Sequence, residues 1–372
     1  MARNSVQKLR DLGQSVWCDQ ISREMLQSGE LASLRDLGVT GVTSNPTIFE
    51  KAVSAGSQYD AELEDLARKG VETERAFEIL AERDIRDACD LFLPVFESTK
   101  GADGFVSIEV SPHLAYQTDE TVADARRLWS QVGRPNVMIK VPGTPEGIPA
   151  FRTLIGEGIN VNVTLLFDVN LYVQVANAYI DGLESLRRSG GDPSAVASVA
   201  SFFVSRVDTA VDAGVQSEKA KGKAGLDDLL GVAAVANARL AYARFKEIFG
   251  APRFAALRER GAKVQRCLWA STSTKNPAYS DVLYVQELIA PDTVNTTPPV
   301  TINAWLDHGE AHLTLEKGIA DAERAFRRLT EAGIDLAAVT HKLMLDGVKS
   351  FAASYDLLLQ EVAEKAKLLA RA

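Results

Sequence analysis

The chain has 372 residues, 46% hydrophobic and 24% charged, the composition of a globular protein rather than a disordered or fibrous one. A formal charge of -9 argues against a nucleic-acid or anionic-membrane surface as the main partner, while leaving room for a local basic pocket. The polar start MARNSVQKLRDLG lacks the apolar run of a signal peptide, and no stretch approaches about 18 uninterrupted apolar residues, so the expected location is cytoplasmic and no membrane partner is expected.

Short β-rich runs alternate with helix-length segments along the chain. They are SVWCD (15–19), TGVTSN (40–45), FVSIEV (105–110), NVMIKV (136–141), NVNVTLLF (160–167), SVASFFV (198–204), KVQRCLWAS (263–271) and DTVNTTP (292–298). Eight strands separated by helix-length connections predict an α/β fold, a single (β/α)8 TIM barrel over residues 1–372. No G-x-G-x-x-G follows the first strand, which disfavours a dinucleotide-binding open sheet. Ser44-Asn45-Pro46, Thr144-Pro145-Glu146 and Asp168 read as helix starts, the first two with proline at the first helical position. Two connections, 46–104 and 205–262, are long, and SEKAKGKAGLDD in the second reads as a surface loop. Beyond the eighth strand, EKGIADAERAFRRLTEAG and HKLMLDGVKSFAASYDLLLQEVAEKAKLLARA read as extra C-terminal helices packing on the barrel wall or over its mouth.

Alternation within the strands carries the functional signal. Val16 and Cys18 oppose Ser15, Trp17 and Asp19; Val106, Ile108 and Val110 oppose Phe105, Ser107 and Glu109. In the fifth strand Val161, Val163, Leu165 and Phe167 oppose Asn160, Asn162, Thr164 and Leu166. Because a barrel strand turns its apolar face to the surrounding helices, Asp19, Glu109, Lys140, Asn162 and Thr164 are expected to converge on the axis. Lysine is almost never buried without a partner or a purpose. One reading makes Lys140 and Glu109 an interior ion pair that fills the barrel, and Asn45, Asp19 and Thr164 a helix cap, a turn cap and an ordinary strand residue. The other reads five inward polar positions as chemistry. Apolar walls penalise an ammonium and favour a free amine, which attacks carbonyls to form an imine; its protonated nitrogen accepts the electrons of a breaking carbon–carbon bond. Asp19 and Glu109 supply the two proton carriers such a reaction needs, and no metal is called for. His308 and His312 in HGEAH lack the H-E-x-x-H order and read as a helix-surface pair, and Cys18, Cys89 and Cys267 as reduced packing residues.

The motifs VWCD, GVTSNPTIF, SIEVSP, MIKVPGTPEG, GINVNVTLLF, SFFVSRVD and WASTSTKNPAYSD together resemble transaldolase, in its longer bacterial form, over nearly the whole barrel. The resemblance implies a class I Schiff-base enzyme of the non-oxidative pentose phosphate pathway with no cofactor, acting on sugar-phosphate substrates as a monomer or homodimer. It would move a dihydroxyacetone unit from sedoheptulose 7-phosphate to glyceraldehyde 3-phosphate, giving erythrose 4-phosphate and fructose 6-phosphate. It implies that Lys140 forms the imine, that Asp19 acts on the C4 hydroxyl, and that Glu109 works through a water held with Thr164. Asn45 and Asn162 would bind the dihydroxyacetone hydroxyls, with Thr43 and Phe203 also on the substrate side. Ser201, Arg206 and Ser271 would hold the phosphate near the mouth. Shorter family members read SPFVGR and ASFRN where this chain has SFFVSR and ASTSTKN, so the second basic residue is Lys275, displaced by a two-residue insertion. The alternatives are a fructose-6-phosphate-type aldolase, for which related enzymes place Gln and Tyr where this chain has Glu109 and Phe203, and a barrel that only binds sugar phosphates.

Overall fold

The computed structural model describes residues 3–54 and 56–369. Among them, β1 (Gln14–Cys18), β2 (Gly41–Val42), β3 (Val106–Glu109), β4 (Val137–Pro142), β5 (Val161–Leu166), β6 (Ser198–Phe203), β7 (Arg266–Ala270) and β8 (Thr293–Thr297) pair in parallel, in chain order, and close into a barrel. Each matches a run read from the sequence to within one residue beyond its ends (Gln14 in β1, Pro142 in β4), and the helices between them form the outer layer of a (β/α)8 barrel. No helix of the described residues is long and apolar enough to cross a membrane.

The shortest strand shows what limits a ladder here. A side chain at Gly41 would lie 2.7 Å from the Phe105 carbonyl and the Trp17 indole, so only glycine lets β2 approach its neighbours. Three residues separate Val42 from the helix Pro46–Ser54, and the N–H of that helix's third residue, Ile48, donates to Asn45 Oδ1 at 3.0 Å. Asp168 caps Val169–Arg188 in the same way through the Leu171 N–H. The start read at Thr144-Pro145 is displaced: Thr144 Oγ1 accepts the Gly147 N–H at 2.9 Å, and the helix runs Gly147–Gly156 with Pro145 in the turn before it.

At the amino-terminal floor a buried polar group plugs the axis. Trp17 Nε1 donates to Asp103 Oδ1 at 2.8 Å, Ser15 Oγ donates to the other Asp103 oxygen, and Arg266 donates to Ser15 Oγ at 2.7 Å. Pairing Asp103 with Arg266, 3.5 Å apart, and satisfying its oxygens with neutral donors makes the burial of this charge tolerable.

Three further expectations need correction. In β5 one extra residue intervenes between Val163 and Leu166 relative to β6, and Leu165 adopts φ 60°. A bulge of this kind reverses the alternation beyond it. Leu166 therefore pairs beside Phe202, Leu165 lies against Gly347, and Phe167 sits beside Phe203, ring centroids 5.2 Å apart. Second, SEKAKGKAGLDD is not all loop: its first four residues finish the helix Ser205–Ala220, and Lys223 ties the remainder to Glu218. Third, HGEAH is not one helical turn, because the helix Pro299–His308 ends at its first residue and Gly309 breaks it.

The two C-terminal helices take different places. Ile319–Glu331 packs on the outer wall against Ala233–Gly250. Leu336–Leu369 roofs the mouth: Phe351 lines the pocket there, Thr47 Oγ1 donates to Ser354 Oγ at 2.8 Å, and Tyr355 Oη donates to Glu74 at 2.8 Å.

Candidate active site

Parallel register sets the heart of the site. Glu109, the last residue of β3, lies opposite Lys140 on β4, and Lys140 lies opposite Asn162 on β5. Lys140 is 4% exposed; its Nζ donates to the Ser44 carbonyl at 3.0 Å, stands 3.6 Å from Glu109 Oε2, and lies 6.0 Å from the centroid of the Phe351 ring. Neither Glu109 oxygen nor Thr164 Oγ1 has a hydrogen-bond partner in the protein, although all three are buried. An ion pair serving only to fill the barrel needs its remaining lone pairs satisfied to be tolerable. This one leaves them free and aimed inward.

Asp19 continues from the end of β1. Its Oδ1 accepts from Thr43 Oγ1 at 3.0 Å, and because that hydroxyl has only one proton, Thr296 donates to Thr43 across their 2.7 Å contact. Burial pushes the Asp19 carboxyl up to about 6, with Lys140 and then the Thr43 bond pulling the other way. Burial also raises Glu109, to about 7, again against the pull of Lys140. Two carboxyls with pKa values near neutrality, both feeling the charge of one amine, can exchange protons at physiological pH.

Asn45 is a helix cap that also borders the pocket: its oxygen is spent on the helix. Asn162 is fixed at both ends, donating to Ser107 Oγ at 3.1 Å and accepting from Ser201 Oγ at 2.6 Å. That bond places the Ser201 hydroxyl deep in the barrel beside Asn162. The Ser271 hydroxyl pairs with Ser205 Oγ at 3.0 Å, and Ser271 itself adopts φ 55° where β7 ends. Arg206, in the helix Ser205–Ala220, has no hydrogen-bond or ion-pair partner among the described residues; it lies 5.5 Å from the centroid of the Phe203 ring, and burial lowers its pKa. Lys275 Nζ donates to Ser273 Oγ at 2.6 Å.

These groups line one pocket of about 350 Å³ at the carboxyl end of the barrel. Asp19, Thr43, Asn45, Lys140, Ser201, Phe203, Arg206, Ser271 and Lys275 border it. Glu109 and Asn162 lie at its inner end beside Lys140, with Thr164 two residues beyond Asn162 on β5. Glu109 also borders a second, narrow cavity of about 40 Å³ between β3 and the helices Thr73–Ser98, Thr118–Val132 and Leu336–Leu369. The sequence reading missed Lys51, Thr296, Ser273 and Phe351 on the pocket wall. Alternation would have found Thr296, two residues from inward Val294 on β8. Phe351 comes from a helix whose docking no local pattern encodes.

The other candidates lie elsewhere. His308 bonds Asp281 and His312 faces Glu310, both exposed, and no group of three or more His, Cys, Asp or Glu side chains among the described residues is placed to hold a metal ion. Cys18, Cys89 and Cys267 are buried free thiols.

Known proteins give the same picture from a different direction. Residues 16–362 match the model of the family described as Transaldolase/Fructose-6-phosphate aldolase. A protein of Nostoc sp. named Transaldolase 2 is 47% identical over 378 aligned positions, covering 99% of each chain. Proteins named Transaldolase from Saccharopolyspora erythraea and Mycolicibacterium smegmatis are each 48% identical, over 98% and 96% of this chain and 99% and 97% of theirs. A match that spans the barrel, with the motif lysine flanked in register by Glu109 and Asn162, places this chain in the transaldolase/fructose-6-phosphate aldolase family.

Proposed function

We propose that the chain works as a transaldolase in which Lys140 carries a dihydroxyacetone unit between sugar phosphates. Lys140 Nζ attacks C2 of a ketose phosphate such as sedoheptulose 7-phosphate. Glu109 protonates the departing C2 oxygen through a water held with Thr164, the two groups whose buried oxygens have no partner in the protein. The protonated imine then accepts the electrons of the C3–C4 bond as Asp19 takes the proton of the C4 hydroxyl. The aldose phosphate leaves, and the enamine stays on Lys140. Asn162, fixed at both ends, and the amide of Asn45 hold its hydroxyls in place. Addition of glyceraldehyde 3-phosphate reverses these steps: the enamine carbon attacks the aldehyde, Asp19 returns the proton, and water hydrolyses the new imine to release fructose 6-phosphate. Arg206, unpaired and partly desolvated, suits the substrate phosphate, which its forked donors can bind in a bidentate manner. Ser271 and Lys275 stand beside it.

The observation that carries this reading is the buried Lys140 amine facing a Glu109 carboxyl raised to about 7 and sharing its pocket with an Asp19 carboxyl raised to about 6. Borohydride added with fructose 6-phosphate will reduce the imine to a stable secondary amine, and peptide mapping will find the added mass on Lys140. Lys140→Met, which keeps most of the side-chain volume, will fold but form no adduct. An unmodified wild-type protein, or an adduct mapped to another lysine, overturns the assignment.

A further inference from the structure

The pocket has more positive charge than one phosphate anchor accounts for. Its wall carries Lys51, Lys140, Arg206 and Lys275 against the Asp19 carboxyl, with Glu109 beside Lys140 at the inner end, in a chain of net charge -9. Lys140 and Asp19 are occupied at the inner end, which leaves three cations around the mouth. Lys51 is exposed and has no hydrogen-bond or ion-pair partner among the described residues. It belongs to Pro46–Ser54, where Thr47, Ile48 and Lys51, spaced one and four residues apart, line the pocket, while Phe49 and Val53 are buried on the other side. That helix follows β2, whereas Arg206 follows β6 and Lys275 follows β7, so in a closed eight-stranded barrel Lys51 stands on the opposite wall. A cavity of 350 Å³ is comparable to a sphere about 9 Å across, narrow enough for long side chains on both walls to meet one anion.

We propose that Lys51 is a third anchor for the substrate phosphate, closing on it from the wall opposite Arg206 and Lys275, and that it sets which sugar-phosphate length binds best. The inference rests on the Schiff-base reading above, because the covalent bond to Lys140 fixes C2. With C2 fixed, the phosphate of sedoheptulose 7-phosphate lies one carbon further out than that of fructose 6-phosphate. Arg206, backed by the Phe203 ring, is the less mobile anchor. The flexible stem of an exposed lysine lets its charge follow the phosphate between the two positions. Lys51 touches no reacting carbon and is a positioning residue.

Steady-state kinetics on both ketose phosphates, with inorganic phosphate as inhibitor, tests this in the wild type, Lys51→Met and Lys51→Arg. Lys51→Met is expected to raise KM by about five- to tenfold, more for sedoheptulose 7-phosphate, while kcat stays within about twofold. The inhibition constant of phosphate rises by a similar factor, and Lys51→Arg recovers most of the loss. KM and phosphate inhibition within about twofold of wild type overturn the proposal. So does a fall in kcat at unchanged KM, or an arginine variant no better than methionine, since either marks a structural role. The borohydride adduct still forms on Lys140 in Lys51→Met at saturating fructose 6-phosphate. Its absence from the wild type would condemn the lysine chemistry, whereas thermal stabilisation by phosphate would still report on Lys51.

Discussion

Glu109→Gln separates what the site costs in stability from what it contributes to rate. The carboxyl is 4% exposed, and burial raises it from an ordinary 4.5 to about 7, a value that already includes the opposing attraction of Lys140. The folded state thus holds this proton more tightly than the unfolded chain does. Stability is greatest below pH 4.5, declines as the pH rises toward about 7, and is level above that. The full decline corresponds to about 3 kcal/mol. Glutamine has nearly the same shape and no charge to desolvate, so Glu109→Gln should be more stable than wild type by about 3 kcal/mol at pH 8.5 but only about 1 kcal/mol at pH 5. Spread over the unfolding entropy of 372 residues, the larger figure is about 4 °C in Tm and the smaller about 1 °C. Transaldolase turnover should fall by about 10² to 10⁴, the usual loss for a missing proton carrier. Thermal denaturation of both proteins at the two pH values, alongside the coupled enzyme assay, reads all of this. An equal Tm gain at both pH values would show that folding does not raise this carboxyl, and a less stable variant at pH 8.5 would show that the protein stabilises the carboxylate; either result defeats the reasoning.

As the proposed base Asp19 must be ionised to work, and burial has raised it to about 6, so on that mechanism kcat/KM should fall about tenfold per pH unit below 6. Asp19→Asn should remove that limb and most of the activity; a limb that survives the substitution belongs to another group. Phe203→Tyr places a hydroxyl on the pocket wall beside Arg206, where it can protonate the enamine before the acceptor arrives. Release of free dihydroxyacetone from fructose 6-phosphate without acceptor should rise, and an unchanged release rate would argue that this ring does not protect the enamine.

The strands and most of the site were legible because a barrel imposes a period of two on the chain and a fixed direction on each parity. Glu109, Lys140, Asn162 and Thr164 could be placed on the axis from alternation alone. What escaped the pattern did so for identifiable reasons. The extra residue in β5 has no signature in VNVTLLF, since a leucine at φ 60° is unfavourable by itself and is imposed by its surroundings, including Gly347. Asp103 precedes β3, outside any alternating run, so its bond to Trp17 and its pairing with Arg266 arise only on barrel closure. Ser201 was placed with the phosphate by motif, yet its hydroxyl bonds Asn162, because parity and depth along a strand are separate quantities and only parity is written in the alternation.

On the proposed mechanism, the roofing helix makes the reactivity of Lys140 depend on an element far along the chain. The strands hold one another through their own ladders, whereas Phe351 reaches the amine only when Leu336–Leu369 is docked, through contacts such as Thr47 with Ser354 and Tyr355 with Glu74. Local opening of that helix is a smaller event than global unfolding and admits solvent to the nucleophile while the barrel persists. Heat would therefore silence the enzyme before it melted the scaffold, and substitutions on the buried face of one distant helix would shorten its working life without touching a reacting group.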